Sequence, residues 1–269
     1  MQKTKNSNDF NAFFHELARV SSNIILPLFR SALHSEDKSQ GQVFDPVTIA
    51  DRDSEAAMRE LISARYPDHG IMGEEFGYSN EDAEFVWVLD PIDGTKSFIS
   101  GSPLWGTLVG LMHHGKPIAG MLNQPFTREM FIADVSGAHW HGLNAQGSVE
   151  TRLLKTRACA TLESATLLTT SPYLIAGELR DKYLQVQQQV RLPRFGGDCY
   201  IYAQLAMGHA DLVIEAGLKP HDIVALIPII ERAGGIITTW SGGDAAKGGA
   251  IVAAGDARVH AQALAILNA

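Results

Sequence analysis

Apolar residues recur every three or four positions near the start of the chain, and this spacing predicts an amphipathic helix. The positions that set the period are Phe10, Phe13, Phe14, Leu17, Val20, Ile24, Ile25 and Leu28. Asn8 or Asp9 precedes the first of them and can cap the helix. A second helix is predicted from near Asp51 to Tyr66, because Pro67 cannot continue it.

The middle of the chain contains short apolar runs that are typical of strands. The predicted strands are 85–89, 107–112, 118–122, 130–133 and 138–141. The first of them ends at Asp90-Pro91, with Asp93 in the following turn. The next two flank His114-Gly115 and predict a hairpin. This half of the chain is therefore expected to be α+β.

Strands and helices alternate after about Thr151, which is typical of an α/β unit. The predicted strands here are 167–170, 211–215, 236–239 and 251–254. The predicted helices are 177–190, 201–207, 223–233 and 257–267. We therefore expect an N-terminal α+β domain at residues 1–155 and a C-terminal α/β domain at residues 156–269.

Composition and charge exclude some classes of protein. The 269 residues are 45% hydrophobic and 19% charged, as in ordinary globular proteins. The formal net charge of −8 argues against nucleic-acid binding, which normally needs a basic face. Cys159 and Cys199 lack zinc or redox spacing and are expected to be buried free thiols. With no signal-peptide core at the start and no apolar run long enough for a bilayer, we expect a cytoplasmic protein without a membrane partner.

The segment Asp90-Pro91-Ile92-Asp93-Gly94-Thr95 is the most informative candidate for chemistry. Its two carboxylates and one carbonyl can converge on a hard cation, while the amides of Gly94 and Thr95 face an anion. The structural alternative is a capped turn, since Asp and Gly are common turn residues.

Two other acidic segments are ambiguous when each is considered alone. Glu74 and Glu75 lie between glycines after an apolar pair, where burial without a cation would be costly. For the pair taken alone, a solvated acidic loop is the preferred interpretation. Asp222 begins an apolar segment that ends at Gly234-Gly235, and it can be a helix cap.

Together with the segment around Asp51, these motifs resemble the inositol monophosphatase superfamily. The matching motifs are Val47-Thr48-x-Ala50-Asp51, Gly73-Glu74-Glu75, Asp90-Pro91-Ile92-Asp93-Gly94-Thr95 and Asp222-x-x-Ala225 followed by Ala233-Gly234-Gly235. Their order and their intervals both fit. The resemblance implies a layered αβαβα sugar-phosphatase fold, a metal-dependent phosphatase activity and a homodimer.

Four further segments look like the histidinol-phosphate phosphatase branch of this superfamily. They are 44–48 (FDPVT), 99–108 (ISGSPLWGTL), 194–200 (RFGGDCY) and 213–220 (VIEAGLKP). Inositol monophosphatases usually have a Ser/Thr-Ala pair where this chain has Asp198-Cys199, and Trp where it has His221. These departures weaken an inositol assignment more than they weaken phosphatase activity.

The resemblance also implies roles for individual residues. The expected ligands of two or three Mg²⁺ ions are Glu74, Asp90, the Ile92 carbonyl, Asp93 and Asp222, with Asp90 bridging two ions. The expected phosphate-binding residues are Asp93, Gly94 and Thr95. The expected catalytic residues, which orient a water or hydroxide, are Glu74, Thr95 and Asp51. The first domain would then carry most metal ligands, and the second would complete the site.

Asp198 and Glu215 match positions that face the organic part of the substrate. Their carboxylates can pair with the ammonium of histidinol phosphate and hydrogen-bond its imidazole. A helix cap ahead of residues 199–207 explains Asp198 equally well.

These observations favour a Mg²⁺-dependent phosphomonoesterase that hydrolyses histidinol phosphate in histidine biosynthesis. One Mg²⁺ can lower the pKa of a bound water and place it in line with phosphorus, and a second can stabilise the leaving oxygen. An inositol or sugar monophosphatase of the same fold is the nearest alternative. A phosphatase-like regulatory binding protein is less favoured, because Asp51, Glu74, Asp90, Asp93 and Asp222 are all present.

Overall fold

The computed structural model describes residues 8–31, 36–37 and 46–269. Its helices are α1 (Asn8–Ile25), α2 (Ile49–Arg65), α3 (Thr95–Ile99), α4 (Glu178–Gln187), α5 (Tyr200–Ala206), α6 (Pro220–Ile223), α7 (Leu226–Arg232) and α8 (Ala257–Leu267). No helix within these ranges is long and apolar enough to cross a bilayer. Phe44 and Asp45, which open one of the motifs above, lie outside the described residues.

Most of the strands belong to two large sheets. In chain order the strands are β1 (Glu36–Asp37), β2 (Pro46–Val47), β3 (Gly70–Gly73), β4 (Gly77–Ser79), β5 (Phe85–Asp93), β6 (Gly106–His113), β7 (Lys116–Gln124), β8 (Glu129–Asp134), β9 (Gly137–Leu143), β10 (Val149–Leu153), β11 (Thr166–Thr169), β12 (Leu192–Phe195), β13 (Leu212–Leu218), β14 (Ile236–Thr239) and β15 (Gly249–Ala254). The eight-stranded sheet has the order β10-β9-β8-β7-β6-β5-β3-β4, and the five-stranded sheet has the order β12-β11-β13-β15-β14. β1 and β2 pair separately.

Helices cover both sheets and separate them. α1 and α2 pack on one face of the eight-stranded sheet, and α6 and α7 pack on its other face. α5 lies with α7 against the five-stranded sheet, whose outer side carries α4 and α8. The layers therefore run helix, sheet, helix, sheet, helix, which confirms the predicted αβαβα fold. The division into two domains near residue 155 stays a prediction.

The two predicted N-terminal helices form, with shifted ends. The apolar face of α1 buries Phe13 and Phe14 against Trp87, but the helix ends at Ile25, before the predicted Leu28. α2 begins at Ile49 because Thr48 forms a capping box with Asp51. Asp51 therefore lies in the first turn of α2, where its carboxylate accepts the backbone N–H of Thr48, a donor that the helix cannot satisfy itself.

The prediction that the strand ends at Asp90 is wrong, since β5 continues to Asp93. Asp90 pairs with Leu108 and Asp93 with Gly106, so β5 has one residue more than β6 in this interval. Such a bulge re-aims the side chains beside it. The Thr107 hydroxyl donates to the Pro91 carbonyl at 2.8 Å and holds the bulge in place.

The predicted helix 223–233 is also wrong as a single element, because it forms α6 and α7 with a break at Val224 and Ala225. Pro228 has no N–H to donate to the carbonyl four residues earlier, which interrupts the helical hydrogen bonding there. α6 begins at Pro220, where the missing N–H costs nothing.

Two paired glycines bring this helical break onto the sheet. Gly110 of β6 lies opposite Gly120 of β7. A Cβ at Gly110 would lie 2.7 Å from Val224 Cγ1, and one at Gly120 would overlap the Ala225 carbonyl. Only glycine permits so close an approach. The contact places the start of α6, which carries Asp222, beside the end of β5.

The other predicted elements lie within three residues of their expected ends. Both cysteines are buried and free, as predicted. The elements that the apolar pattern missed are β1, β2, β3, β4, α3, β10 and β12.

Candidate active site

Glu74 directly follows β3, and Asp90 lies in the neighbouring parallel strand β5. β3 ends at Gly73, which pairs with Leu89 of β5, and the Glu74 N–H donates to the Leu89 carbonyl at 3.2 Å. The buried Glu55 carboxylate accepts the N–H groups of Glu75 and Phe76 at 2.8 and 3.1 Å. These bonds hold the backbone that follows Glu74, so the predicted loop is built against the core.

The carboxylate of Asp93 is held by a residue that lies between the two sheets. The backbone N–H of Cys199 donates to Asp93 Oδ2 at 2.6 Å. Cys199 directly precedes α5, which is packed between the sheets. This structural hydrogen bond fixes the orientation of the Asp93 carboxylate, which also belongs to the acidic cluster described below.

Asp222 serves both as a cap and as a member of this cluster. Its Oδ2 accepts the Lys219 N–H at 2.6 Å at the start of α6, so the capping interpretation is correct. Its Oδ1 lies 3.5 Å from His221 Nε2. Because the cap orients the carboxylate, the two interpretations of Asp222 are compatible.

The acidic residues form two groups that share Asp90. One group contains Glu74, Asp90 and His221, and the other contains Asp90, Asp93 and Asp222. Within each group the possible ligand atoms lie within 4.8 Å of one another. The structure thus brings four of the predicted side-chain metal ligands together from three separate segments of chain.

Electrostatics at this cluster favours a bound cation. Asp90 is buried, and its Oδ1 has no hydrogen-bond partner among the described residues. Burial raises the pKa of Asp90, and the charge of Glu74 raises it further. Burial also raises the pKa of Asp93 and of Asp222. Carboxylates held this closely repel one another unless protons or cations neutralise them.

The donor set fits a divalent cation that prefers oxygen. Carboxylate oxygens predominate, Ile92 lines the same cavity, and Asp90 Oδ1 is a buried acceptor with no donor in the described structure. Mg²⁺ takes such ligands and retains several waters. The residues present therefore fit the predicted metal.

Asp51 shows the same division between its two oxygens. Asp51 Oδ2 accepts from the N–H of Thr48 at 2.9 Å and from its hydroxyl at 2.6 Å. Oδ1 is buried and, in the described part of the chain, has no partner. Burial raises the pKa of Asp51 to about 6, and the charges of Glu74 and Glu75 add to the effect.

Gly94, Thr95 and Asp198 form a close group beside the cluster. Gly94 has a φ of 87°, and a Cβ there would lie 2.9 Å from the Asp198 carboxylate. The Thr95 hydroxyl donates to the Ile92 carbonyl at 3.1 Å. Ser97 Oγ donates to Asp198 Oδ2 at 2.6 Å, whereas no side chain caps α5 in the described structure. The cap interpretation of Asp198 is therefore wrong.

Glu215 lines a neighbouring cavity with Asp198, Asp93 and Asp222. Its Oε1 accepts the Thr170 N–H at 2.9 Å, and its Oε2 accepts from the Tyr202 hydroxyl at 3.2 Å. Burial raises the pKa of Glu215 to about 7.

Most predicted site residues line one cavity of about 220 Å³. They are Glu74, Asp90, Ile92, Asp93, Gly94, Thr95, Asp198 and Asp222. Glu215 lies in the adjoining cavity of about 150 Å³, and Asp51 lines neither. A cavity of about 640 Å³ near Trp140 and Tyr200 contains none of these residues, so volume alone does not locate the chemistry.

Three groups at the site were not predicted as functional. His221 shares a group with Glu74 and Asp90, Lys96 lines the cavity, and the Cys199 amide binds Asp93. His221 adjoins a predicted ligand and Lys96 follows the phosphate motif, so proximity in sequence is a usable signal for both. The Cys199 amide has no sequence signal, since any residue supplies an N–H.

The comparisons with known proteins identify the class. A family model, the inositol monophosphatase family, matches residues 6–268. The chain belongs to this family, whose members use divalent metal ions, and it is a phosphoric monoester hydrolase.

Three similar proteins bear on its specificity. The chain is 44% identical to the bifunctional phosphatase IMPL2, chloroplastic, of Arabidopsis thaliana, over 96% of this chain and 75% of that protein. It is 34% identical to the histidinol-phosphatase of Chlorobaculum parvum, over 84% of each. Its fold matches the structure of an inositol monophosphatase from Zymomonas mobilis with a TM-score of 0.85 and 38% identity, covering 98% of this chain and 100% of that one.

Proposed function

We propose that this chain is a Mg²⁺-dependent phosphatase that hydrolyses histidinol phosphate to histidinol and phosphate. The observation that carries the proposal is the shared position of Asp90 in two groups of ligand atoms, each within 4.8 Å. Bound cations would neutralise the charge of these four acidic side chains. The cavity that they line also contains the Gly94-Thr95 turn.

The metal-binding roles follow from the two groups. Glu74, Asp90 and the Ile92 carbonyl would hold one Mg²⁺, and Asp90, Asp93 and Asp222 a second; a third ion would use Glu74 and water. When bound, Mg²⁺ supplies positive charge that activates a water for attack and stabilises the leaving oxygen. The Cys199 amide and the Lys219 amide hold the carboxylates of Asp93 and Asp222 through hydrogen bonds at 2.6 Å each.

The residues around Gly94 would bind the phosphate. Gly94 has a left-handed backbone and directly precedes α3, so the amides of Gly94 and Thr95 have no partner within that helix and can bind an anion. Lys96 at the rim adds a positive charge. Thr95, Glu74 and Asp51 would orient the attacking water, with Asp51 held for this purpose by Thr48.

The adjoining cavity would hold the organic part of the substrate. Its walls include Asp198 and Glu215, and both are anionic when deprotonated. Histidinol phosphate offers an ammonium group and an imidazole, which such carboxylates bind through charge-assisted hydrogen bonds. The similarity to a histidinol-phosphatase supports this choice of substrate.

An inositol or sugar phosphate is the second candidate. The similarity to an inositol monophosphatase structure favours it, and the most similar relative named above is a bifunctional phosphatase. Glu215 can accept hydrogen bonds from hydroxyl groups as well as from an amine. The two candidate functions therefore differ in the preferred substrate and share the same metal chemistry.

A substrate panel tests the proposal. Histidinol phosphate, inositol monophosphate, fructose bisphosphate and an adenosine phosphate are each supplied with and without Mg²⁺. We expect the highest kcat/KM for histidinol phosphate and no hydrolysis without Mg²⁺. A higher kcat/KM for inositol monophosphate would contradict the choice of histidinol phosphate and favour the second candidate.

The variant Asp198→Asn tests substrate contact. We expect it to raise KM for histidinol phosphate and to leave KM for a generic aryl phosphate unchanged, because the aryl ester has no amine. An equal increase in KM for both substrates would indicate that Asp198 acts by holding Gly94 and Ser97 in place and does not contact the substrate.

The homodimer rests on the family resemblance, whereas the cytoplasmic location and the domain division rest on the sequence. We propose a homodimer that acts in the cytoplasm, with the domain division near residue 155. Analytical ultracentrifugation at micromolar concentration tests the dimer, and a monomeric sedimentation coefficient would contradict it.

A further inference from the structure

A second group of ligand atoms lies at the opposite end of β5 from the acidic cluster. Glu84 directly precedes β5, and His113 and His114 lie at the β6–β7 turn. Their ligand atoms all lie within 4.8 Å of one another. Glu84 and Asp90 are six positions apart along extended strand, or about 20 Å. We propose that Glu84, His113 and His114 bind a divalent transition-metal ion such as Zn²⁺.

The backbone brings the three residues together. The His114 N–H donates to the Glu84 carbonyl at 2.9 Å, and His113 pairs with Phe85 in the sheet. Consecutive residues of a strand normally point to opposite faces. His114 escapes this constraint because its φ is 48°, in the left-handed region, and the Gly115 that follows has a φ of 74°. Both imidazoles can therefore reach one carboxylate.

The side chains are already directed at a common point. Glu84 Oε1 lies 2.8 Å from His113 Nε2 and 3.7 Å from His114 Nε2. The His113 ring stacks on Phe85 with centroids 4.5 Å apart, and Phe85 stacks on His69 at 4.9 Å. The stack restricts rotation of the His113 ring, which lowers the entropy cost of binding an ion.

The exposure of the group leaves room for water ligands. The side chains of Glu84, His113 and His114 are 60%, 38% and 71% exposed. Three protein ligands with solvent in the remaining positions satisfy the usual coordination of Zn²⁺.

The donor types determine which ion the site prefers. Two imidazoles and one carboxylate suit Zn²⁺, Cu²⁺ or Ni²⁺, whereas Mg²⁺ prefers an all-oxygen site. The acidic cluster has mainly oxygen donors, so saturating Mg²⁺ occupies that cluster and leaves the imidazole site available. The site is therefore independent of the proposed phosphatase chemistry.

Metal titration of the Mg²⁺-saturated protein tests the proposal. Calorimetry with Zn²⁺ measures affinity, and the electron paramagnetic resonance spectrum of added Cu²⁺ reports nitrogen ligands directly. We expect one Zn²⁺ per chain and a Cu²⁺ spectrum with nitrogen hyperfine splitting. In the variant H113A/H114N both signals should disappear; Asn is chosen because it tolerates the left-handed backbone at position 114.

Two further variants separate ligation from other effects. E84Q keeps the size of the side chain and should weaken Zn²⁺ binding by more than about 10-fold, since losses of 10–100-fold follow even from supporting residues of metal sites. H209A removes an exposed histidine elsewhere and should bind Zn²⁺ like the wild type. Phosphatase activity with Mg²⁺ should be unchanged in H113A/H114N, which shows that it folds. Nitrogen splitting that persists in H113A/H114N would come from another residue, such as His221, and would overturn the proposal.

Discussion

The Cys199 N–H donates to Asp93 Oδ2 at 2.6 Å, and this bond joins residues 106 positions apart in the chain. Asp93 ends β5 in the eight-stranded sheet, and Cys199 precedes α5 in the layer between the sheets. The acidic cluster is therefore complete only when the two halves of the chain are packed together. Metal binding and docking of the two sheets should consequently stabilise each other.

Asp90 should be essential for activity, and its charge should destabilise the protein when no metal is bound. Asp90→Asn removes a charge from the centre of the cluster, where burial and Glu74 raise the carboxyl pKa. We expect kcat/KM to fall by more than about 100-fold, beyond the usual loss for a residue that only supports metal ligands. In EDTA the melting temperature should rise above that of the wild type.

The exposed Asp53 on α2 provides the control for this variant. Asp53→Asn should change neither activity nor melting temperature. An Asp90→Asn variant that is less stable than the wild type in EDTA would show that the Asp90 charge is not a liability in the metal-free protein.

Thr48 should matter for catalysis through Asp51. Its hydroxyl accepts the Ala50 N–H at 3.1 Å and donates to Asp51 Oδ2 at 2.6 Å. Thr48→Val keeps the shape but removes both bonds, and loss of such a cap costs about 0.5–2 kcal/mol. We expect lower kcat with little change in KM, measured by steady-state kinetics. Thr48→Ser should restore both stability and kcat; restored stability without restored kcat would contradict the positioning role.

Glu215 should make stability dependent on pH. Burial raises its pKa to about 7 from an ordinary value of 4.5, so the folded state binds this proton more tightly than the unfolded state. Its contribution to stability is complete below pH 4.5 and is lost as pH rises to about 7. Glu215→Gln does not titrate.

Chemical denaturation in EDTA at several pH values measures this effect. The free energy of unfolding of Glu215→Gln, minus that of the wild type, should increase by about 3 kcal/mol across this window, at about 1.4 kcal/mol for each pKa unit. Glu163 is exposed, and Glu163→Gln should show no such trend. A difference that does not vary with pH would mean that Glu215 is not buried as a titrating acid.

Lys96 should attract the substrate electrostatically. It lines the cavity and is exposed, so its charge acts on an approaching phosphate dianion. Lys96→Ala should lower kcat/KM by about 3–10-fold at low ionic strength, at or below the lower end of the effects of whole charged clefts, and by less in high salt. Lys247→Ala, at an exposed position outside this cavity, is the control. Equal losses at both ionic strengths would indicate a direct contact instead.

The acidic residues could be predicted because cation chemistry needs particular side chains. Asp90 and Asp93 stand out through their spacing, whereas Asp222 is a candidate only through the resemblance to the inositol monophosphatase superfamily; the structure brings all three within reach of one another. Most helices and strands could be predicted because apolar periodicity follows the faces that each element buries, whereas the layered arrangement is expected from the family resemblance.

The details that complete the site depend on contacts distant in sequence. The continuation of β5 to Asp93 requires pairing with Gly106 and a bond from Thr107, neither of which the Pro91 signal predicts. β3 has only four residues, with glycine at both ends, so its apolar pattern is too short to detect. The placement of Asp222 depends on Gly110 and Gly120, whose missing side chains make room for the helical break.

The most direct test of the central claim is hydrolysis of histidinol phosphate by exhaustively chelated protein, followed by titration with Mg²⁺. We expect no release of phosphate after chelation and full recovery as Mg²⁺ is restored, since the clustered carboxylates then regain their cations. Hydrolysis at the same rate before and after chelation would contradict the claim.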